Sequence, residues 1–204
     1  EKQFEVILGK ITVCYKLMKK DVQELPNDEN KIRDVLVNEY INNPNIKRKL
    51  KLEYFVFPEV PETRTPGRTD IRIHSPNSFY NQAEYFIIEC KRLDNINLNG
   101  SSGLNAQYIQ QGICRFTSKH YTSYYRVNGM IGFIVEKIDI STNIHNINDL
   151  LINKFKESNT THTIIQDNFI EGFPDHFHSI HKDTDDRPFK IYHLMFDLHE
   201  NIQR

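Results

Sequence analysis

The sequence predicts an α/β protein with a central mixed β-sheet flanked by helices, in the order α-β-β-β-α-β. Three observations predict it. Runs of strand length, rich in Tyr, Phe, Val and Ile, recur at 52–60, 69–74, 84–91, 130–136 and 190–198. Longer stretches at 3–19, 29–42 and 104–120 place apolar residues at helical spacing. One strand run, Tyr85-Phe86-Ile87-Ile88, is apolar without alternation, as expected of a strand covered on both faces.

The elements follow in order. Residues 3–19 form an amphipathic helix with Glu5, Lys10, Thr12 and Lys16 interspersed, so the stretch is not a signal peptide. Asn27 or Asp28 caps a second helix, with Glu29 in its first turn, where the helix dipole favours an acid. Asn42-Asn43-Pro44 ends that helix. The strand over 52–60 contains Pro58, which places it at an edge or a bend. Thr69 to His74 alternates Ile71 and Ile73 with polar neighbours, and Ser75-Pro76-Asn77-Ser78 is a turn. Asn95 to Gly103 is a polar loop before the helix over 104–120. A strand over 130–136, a helix over 149–157 and a strand over 190–198 complete the reading, with Asp183, Asp185 and Asp186 in a polar hairpin before the last strand.

With 204 residues, 38% hydrophobic and 26% charged, the chain suits a single folded domain. No apolar run is long enough to cross a bilayer. Cys14, Cys90 and Cys114 are an odd, sparse set without zinc spacing, which argues for a reducing compartment such as the cytoplasm. The formal net charge of −1 excludes a polycation, so any basic surface is local.

The strand over 84–91 ends in Glu89-Cys90-Lys91, and Asp70 lies on the strand before it in Gly67-Arg68-Thr69-Asp70. Packing has no use for an acid and an amine at the tip of a buried strand, because a buried charge is costly unless paired or bound to metal. Alternation puts Glu89 and Lys91 on one face and sends Cys90 to the other, into the core. Carboxylates meeting there offer hard oxygen ligands of the kind Mg²⁺ or Mn²⁺ takes. The competing reading is a plain surface ion pair between Glu89 and Lys91.

These residues, in this order of elements, resemble the PD-(D/E)XK nuclease superfamily, with Thr69 standing where the family name has Pro. The resemblance covers about residues 28–136, the restriction-endonuclease-like core, and residues 137–204 are then a C-terminal extension packing on it. It implies a metal-dependent nuclease that hydrolyses phosphodiester bonds in DNA, of a restriction or bacterial-defence kind. Asp70, Glu89 and Glu29, with the main-chain carbonyl of Cys90, would hold Mg²⁺ or Mn²⁺, and Glu39 is a second candidate for the place of Glu29. Lys91 would orient or help deprotonate the attacking water. Gln107, Gln111 and Arg115 recur at four-residue spacing, and the resemblance gives Gln107 a place near the metal or scissile phosphate.

Arg68, Arg92 and Arg115 are the candidate phosphate contacts, with Arg64, Arg72, Lys119 and Arg126 nearby in sequence, whereas the run Lys47 to Lys51 reads as a solvated face. The late histidines, His176 and His178 among them, read as strand or loop residues rather than a metal site. A non-catalytic module of the same fold, binding nucleic acid or a protein partner, is the alternative function. A homodimer through the helix 3–19, or a larger defence complex, is the expected assembly.

Overall fold

The computed structural model describes residues 1–61, 68–76, 80–81, 84–118 and 124–203. The expectations on Arg64, Gly67 and Lys119, and on part of the turn over 75–78, lie outside those residues. The chain folds as an α/β structure around one mixed sheet of seven strands, in the order β1-β2-β3-β4-β7-β6-β5. These are β1 (Phe55–Pro61), β2 (Arg68–His74), β3 (Tyr85–Leu93), β4 (Val127–Ile134), β5 (Thr160–Gln166), β6 (His176–Lys182) and β7 (Pro188–Asp197). The central pairs β3–β4 and β4–β7 are parallel and the flanking pairs antiparallel. Pro58 lies on β1, an edge strand, where its missing N–H costs least.

Each face of the sheet carries its own apolar layer. Helix α1 (Lys2–Asp21) buries Phe4, Ile7, Leu8, Ile11, Cys14, Tyr15 and Met18 on one face. The apolar stripe of this helix is spent on the sheet, and Val6 and Val13 are the large apolar side chains it leaves exposed. Helix α2 (Glu29–Asp34) joins the same layer and runs on as a π-helical turn, Val35–Ile41. Asp28 caps it, accepting from the Lys31 N–H at 3.0 Å. On the other face lie α4 (Leu104–Tyr108), a π-helical turn at Ile109–Ile113, α5 (Cys114–Thr117) and α6 (Ile140–Asn153). A fully buried Leu, Ile or Phe in these layers contributes about 1.5–3 kcal/mol.

Three departures from the sequence reading have local causes. Asn43 both follows one helix and caps another, α3 (Pro44–Leu50), which buries no side chain and so shows no apolar stripe. Helix α6 begins at Ile140, not near Asp149, because Asp139 caps it by accepting from the Thr142 N–H at 2.7 Å. Strands β5 and β6 were not anticipated: β5 is mostly exposed, and β6 buries His176 and His181 where an apolar residue is the usual signal.

Candidate functional site

The site forms where β2 and β3 part. Their ladder runs from His74↔Tyr85 to Ile71↔Ile88 and stops there. Beyond that point the inner edge of β3 needs other partners for its main-chain groups. The Cys90 N–H donates to Asp70 Oδ2 at 2.8 Å, and the Arg92 N–H donates to Glu29 Oε2 at 2.9 Å. Side chains from β2 and α2 thus replace the missing strand.

Lys91 lies at the middle of this fork. Its ammonium donates to Glu29 Oε1 at 2.9 Å, to Glu89 Oε1 at 3.0 Å and to the Cys90 carbonyl at 2.6 Å, and it stands 3.7 Å from Asp70 Oδ2. The side chain of Lys91 is 6% exposed and that of Glu89 fully buried. Burial alone would push the lysine's pKa down, but Glu89, Asp70 and Glu29 outweigh it and hold the group above its ordinary value. Cys90 turns to the opposite face and is fully buried, which pushes its thiol well up. Its side chain is packing, and its carbonyl belongs to the site.

A second layer of cations closes the cluster. Arg115 on α5 reaches Glu89 Oε1 at 2.6 Å. Arg33 donates to Asp70 Oδ1 at 3.1 Å, to Glu59 Oε1 at 3.0 Å, to Asp34 Oδ1 at 2.8 Å and to Asn30 Oδ1 at 3.0 Å. Its side chain is 1% exposed. Burial opposes its charge, yet Asp34, Asp70 and Glu59 hold the guanidinium above its usual pKa. The β1–β2 ladder skips Glu59, whose φ of 51° is left-handed. The register is the same on either side of it, so no residue is inserted, and the Glu59 carboxylate accepts from Arg33.

Of the residues singled out in the sequence, the fold brings Asp70, Glu89, Lys91, Glu29, the Cys90 carbonyl and Arg115 together. Glu39 is exposed and takes no part. Gln107 is exposed on α4, and among the described residues no hydrogen bond joins it to the carboxylates. The π-helical turn at Ile109–Ile113 interrupts the α-helical register on which its alignment with Arg115 was predicted. Gly112 in that turn permits close approach to the sheet, because a Cβ there would lie 2.4 Å from Met130 Cε. Arg68 is largely exposed, with its guanidinium 3.4 Å from Glu59. Arg92 donates to the carbonyl and side chain of Asn27 at 2.8 and 2.7 Å. Arg33 was missed. It looks like an ordinary surface cation, and its one signal is that it falls four residues after Glu29, on the same helical face.

Two of the late histidines, His181 and His193, lie in a buried hydrogen-bonded chain. Tyr108 and His193 Nδ1 are 2.8 Å apart, His193 Nε2 and Ser179 Oγ 2.7 Å, Ser179 Oγ and His181 Nε2 2.7 Å, and His181 Nδ1 and the Ser158 carbonyl 2.9 Å. The carbonyl can only accept, so His181 Nδ1 carries the proton and Nε2 accepts from Ser179. That fixes the remaining directions: His193 Nε2–H donates to Ser179, and Tyr108 donates to His193 Nδ1. Burial holds both rings neutral, His181 pushed down to about 4 and His193 well below its ordinary value. The chain ties α4 to β6 and β7 at no cost in unsatisfied groups.

The fold and site together define an α/β protein with a buried carboxylate–lysine cluster at the fork of a mixed sheet. No family model, curated protein or solved structure matches the chain. Among the described residues no three His, Cys, Asp or Glu side chains are spaced as ligands of a metal ion. The carboxylates are spaced around the lysine ammonium instead.

Proposed function

We propose that the protein is a metal-dependent nuclease with a restriction-endonuclease-like core of the PD-(D/E)XK kind, hydrolysing phosphodiester bonds in DNA. The observation that carries this reading is the convergence of Asp70, Glu89, Glu29 and the Cys90 carbonyl on one cation, the ammonium of Lys91. These donors are all oxygens, the chemistry that Mg²⁺ or Mn²⁺ prefers, and holding such an ion requires the ammonium to leave the place it fills. Asp70, Glu89, Glu29 and the Cys90 carbonyl would hold it. When bound, the ion supplies a water of lowered pKa and neutralises charge on the phosphate.

The chain's own groups supply the rest. Lys91 would orient or help deprotonate the attacking water and offset negative charge on the phosphate. Arg115 and Arg92 flank the carboxylates with cations able to hold a phosphate. Arg33 pins one oxygen of Asp70, leaving Oδ2 turned to the Cys90 N–H and Lys91.

One observation favours a second reading. Asp70, Glu89 and Glu29 already have cationic or main-chain partners, as a purely structural ion-pair network would. A non-catalytic module that binds nucleic acid or a protein partner would keep such a cluster for stability. Digestion of plasmid, linear DNA and RNA with Mg²⁺, Mn²⁺ or EDTA separates the two. The nuclease reading requires metal-dependent cutting of DNA, and no cutting under any metal would leave the structural one.

A further inference from the structure

The face of the sheet that carries Glu89 and Lys91 continues outward across β2 to β1, beyond the part covered by helices. Register sets the residues of this shelf in two rows: Phe57 opposite Arg72 opposite Ile87, and Phe55 opposite His74 opposite Tyr85. The helices on this face pack over the β3, β4, β6 and β7 side of it, and among the described residues none packs over the β1 end. There Phe55 is 57% and Phe57 45% exposed, while Val56 between them is buried on the other face. Two Phe side chains two residues apart on an exposed edge strand are a liability that natural sheets usually blunt with charge.

The rings are continuous with an aromatic layer. Phe57 meets His74 edge-on at 5.9 Å, His74 lies 5.3 Å from Tyr85, and the Arg72 guanidinium sits 4.3 Å over the Tyr85 ring. Burial and Arg72 push the pKa of His74 down, so near neutral pH it serves as a ring and not as a cation. One lysine, Lys47, borders the layer, its ammonium donating to the Tyr54 carbonyl at 2.6 Å. Lys47 lines a hollow of about 310 Å³ beside Phe55 with Leu52, Tyr54 and Pro76, and Glu53 is the acid at its rim.

Exposed aromatic faces bordered by Arg and Lys are what successive unpaired bases and their phosphates need, because every base has a face to stack. A duplex hides those faces inside its own stack. We infer that the β1–β2 shelf binds single-stranded DNA, stacking bases on Phe57 and Phe55 and leading the strand to the Asp70–Glu89 fork. Four residues of strand separate Phe55 from Glu59 beside the fork, a run of about 13 Å, so the track spans a few nucleotides. The inference rests on the nuclease reading for the destination of the strand and for the choice of DNA.

The chain contains no Trp, so Phe57→Trp places a single indole reporter on the shelf. Its emission is followed in EDTA, without cleavage, against a single-stranded DNA twelve-mer, the same sequence as duplex, and the RNA equivalent. Single-stranded DNA is expected to quench it saturably and in preference to the other two. Removing a ring, as in Phe55→Ala or Phe57→Ala, is expected to weaken binding of the labelled single strand at least fivefold, by polarisation. Absent quenching, equal quenching by duplex or RNA, or unaltered binding by both alanine variants would overturn the inference. So would a blue shift that grows with protein concentration alone, which would put a second copy on the shelf. Cleavage with Mg²⁺ but no quenching leaves the nuclease reading standing without the shelf, and quenching without cleavage does the reverse.

Discussion

Glu29 Oε1 and Lys91 Nζ, 62 residues apart in sequence, meet at 2.9 Å, while the second oxygen of Glu29 accepts the Arg92 N–H. A helix-start acid therefore caps the free edge of β3 and holds the central cation at once. Glu29→Gln is expected to keep one acceptor and fold, and Glu29→Ala to cost about 1–3 kcal/mol in urea unfolding by leaving the amide and ammonium short of a partner.

Glu89 has the most buried carboxylate of the fork and pairs with Lys91 and Arg115. Removing one member of a buried pair strands the other, so Glu89→Ala is expected to destabilise by about 3–5 kcal/mol. Replacing Glu89 and Lys91 together with Leu and Met is expected to cost less than the sum of the two single changes, which a double-mutant cycle in urea measures.

Arg33 is the structural counterpart of Lys91. Arg33→Met is expected to lower stability by about 2–4 kcal/mol, because Asp70, Glu59 and Asp34 lose their shared donor. Arg33→Lys rescues only part of this, since a single ammonium cannot reproduce the guanidinium fork.

The buried histidine chain sets an acid limit. The folded pKa of His181, about 4, lies below its ordinary 6.5, so its neutral form contributes stability that is whole above 6.5 and is lost as pH falls toward 4. Over that window about 2–4 kcal/mol should disappear. Asp183 takes over at lower pH. Burial pushes its carboxyl up, but the Arg187 N–H and Arg126 outweigh this and bring it to about 2, below the ordinary 3.8. Its contribution is present above 3.8 and is lost as pH falls from there toward 2. Urea midpoints from pH 7 to 4, with His ring shifts by NMR, check the first window. Asp183→Asn should flatten the second.

The legible parts of this chain are those where one signal suffices. Tyr85-Phe86-Ile87-Ile88 reads as a buried strand because apolar residues fill both faces, and Asp28 reads as a cap because a helix start has unmet N–H groups. Glu89, Lys91 and Asp70 were legible as charges with no packing use. What was not legible is relational. Arg33 is buried only because Glu59, skipped by the ladder, and Asp70 turn toward it from other elements. Strand β6 hides because His181 and Ser179 are buried through bonds to each other and to His193, which no local pattern announces. The relation of Gln107 to Arg115 was not legible because a π-helical turn lies between them, and short-range spacing assumes an unbroken α-helix.

The central claim is that the fork is a phosphodiesterase centre and not an ion-pair network kept for stability. The most direct measurement is the rate of plasmid nicking and linearisation with Mn²⁺ by the wild type and by Glu89→Gln, each shown folded by its urea midpoint. The claim predicts metal-dependent cutting, abolished by EDTA and at least about 100-fold slower in the variant. Cutting at the wild-type rate by Glu89→Gln, or none by the wild type with Mg²⁺ or Mn²⁺, would contradict it.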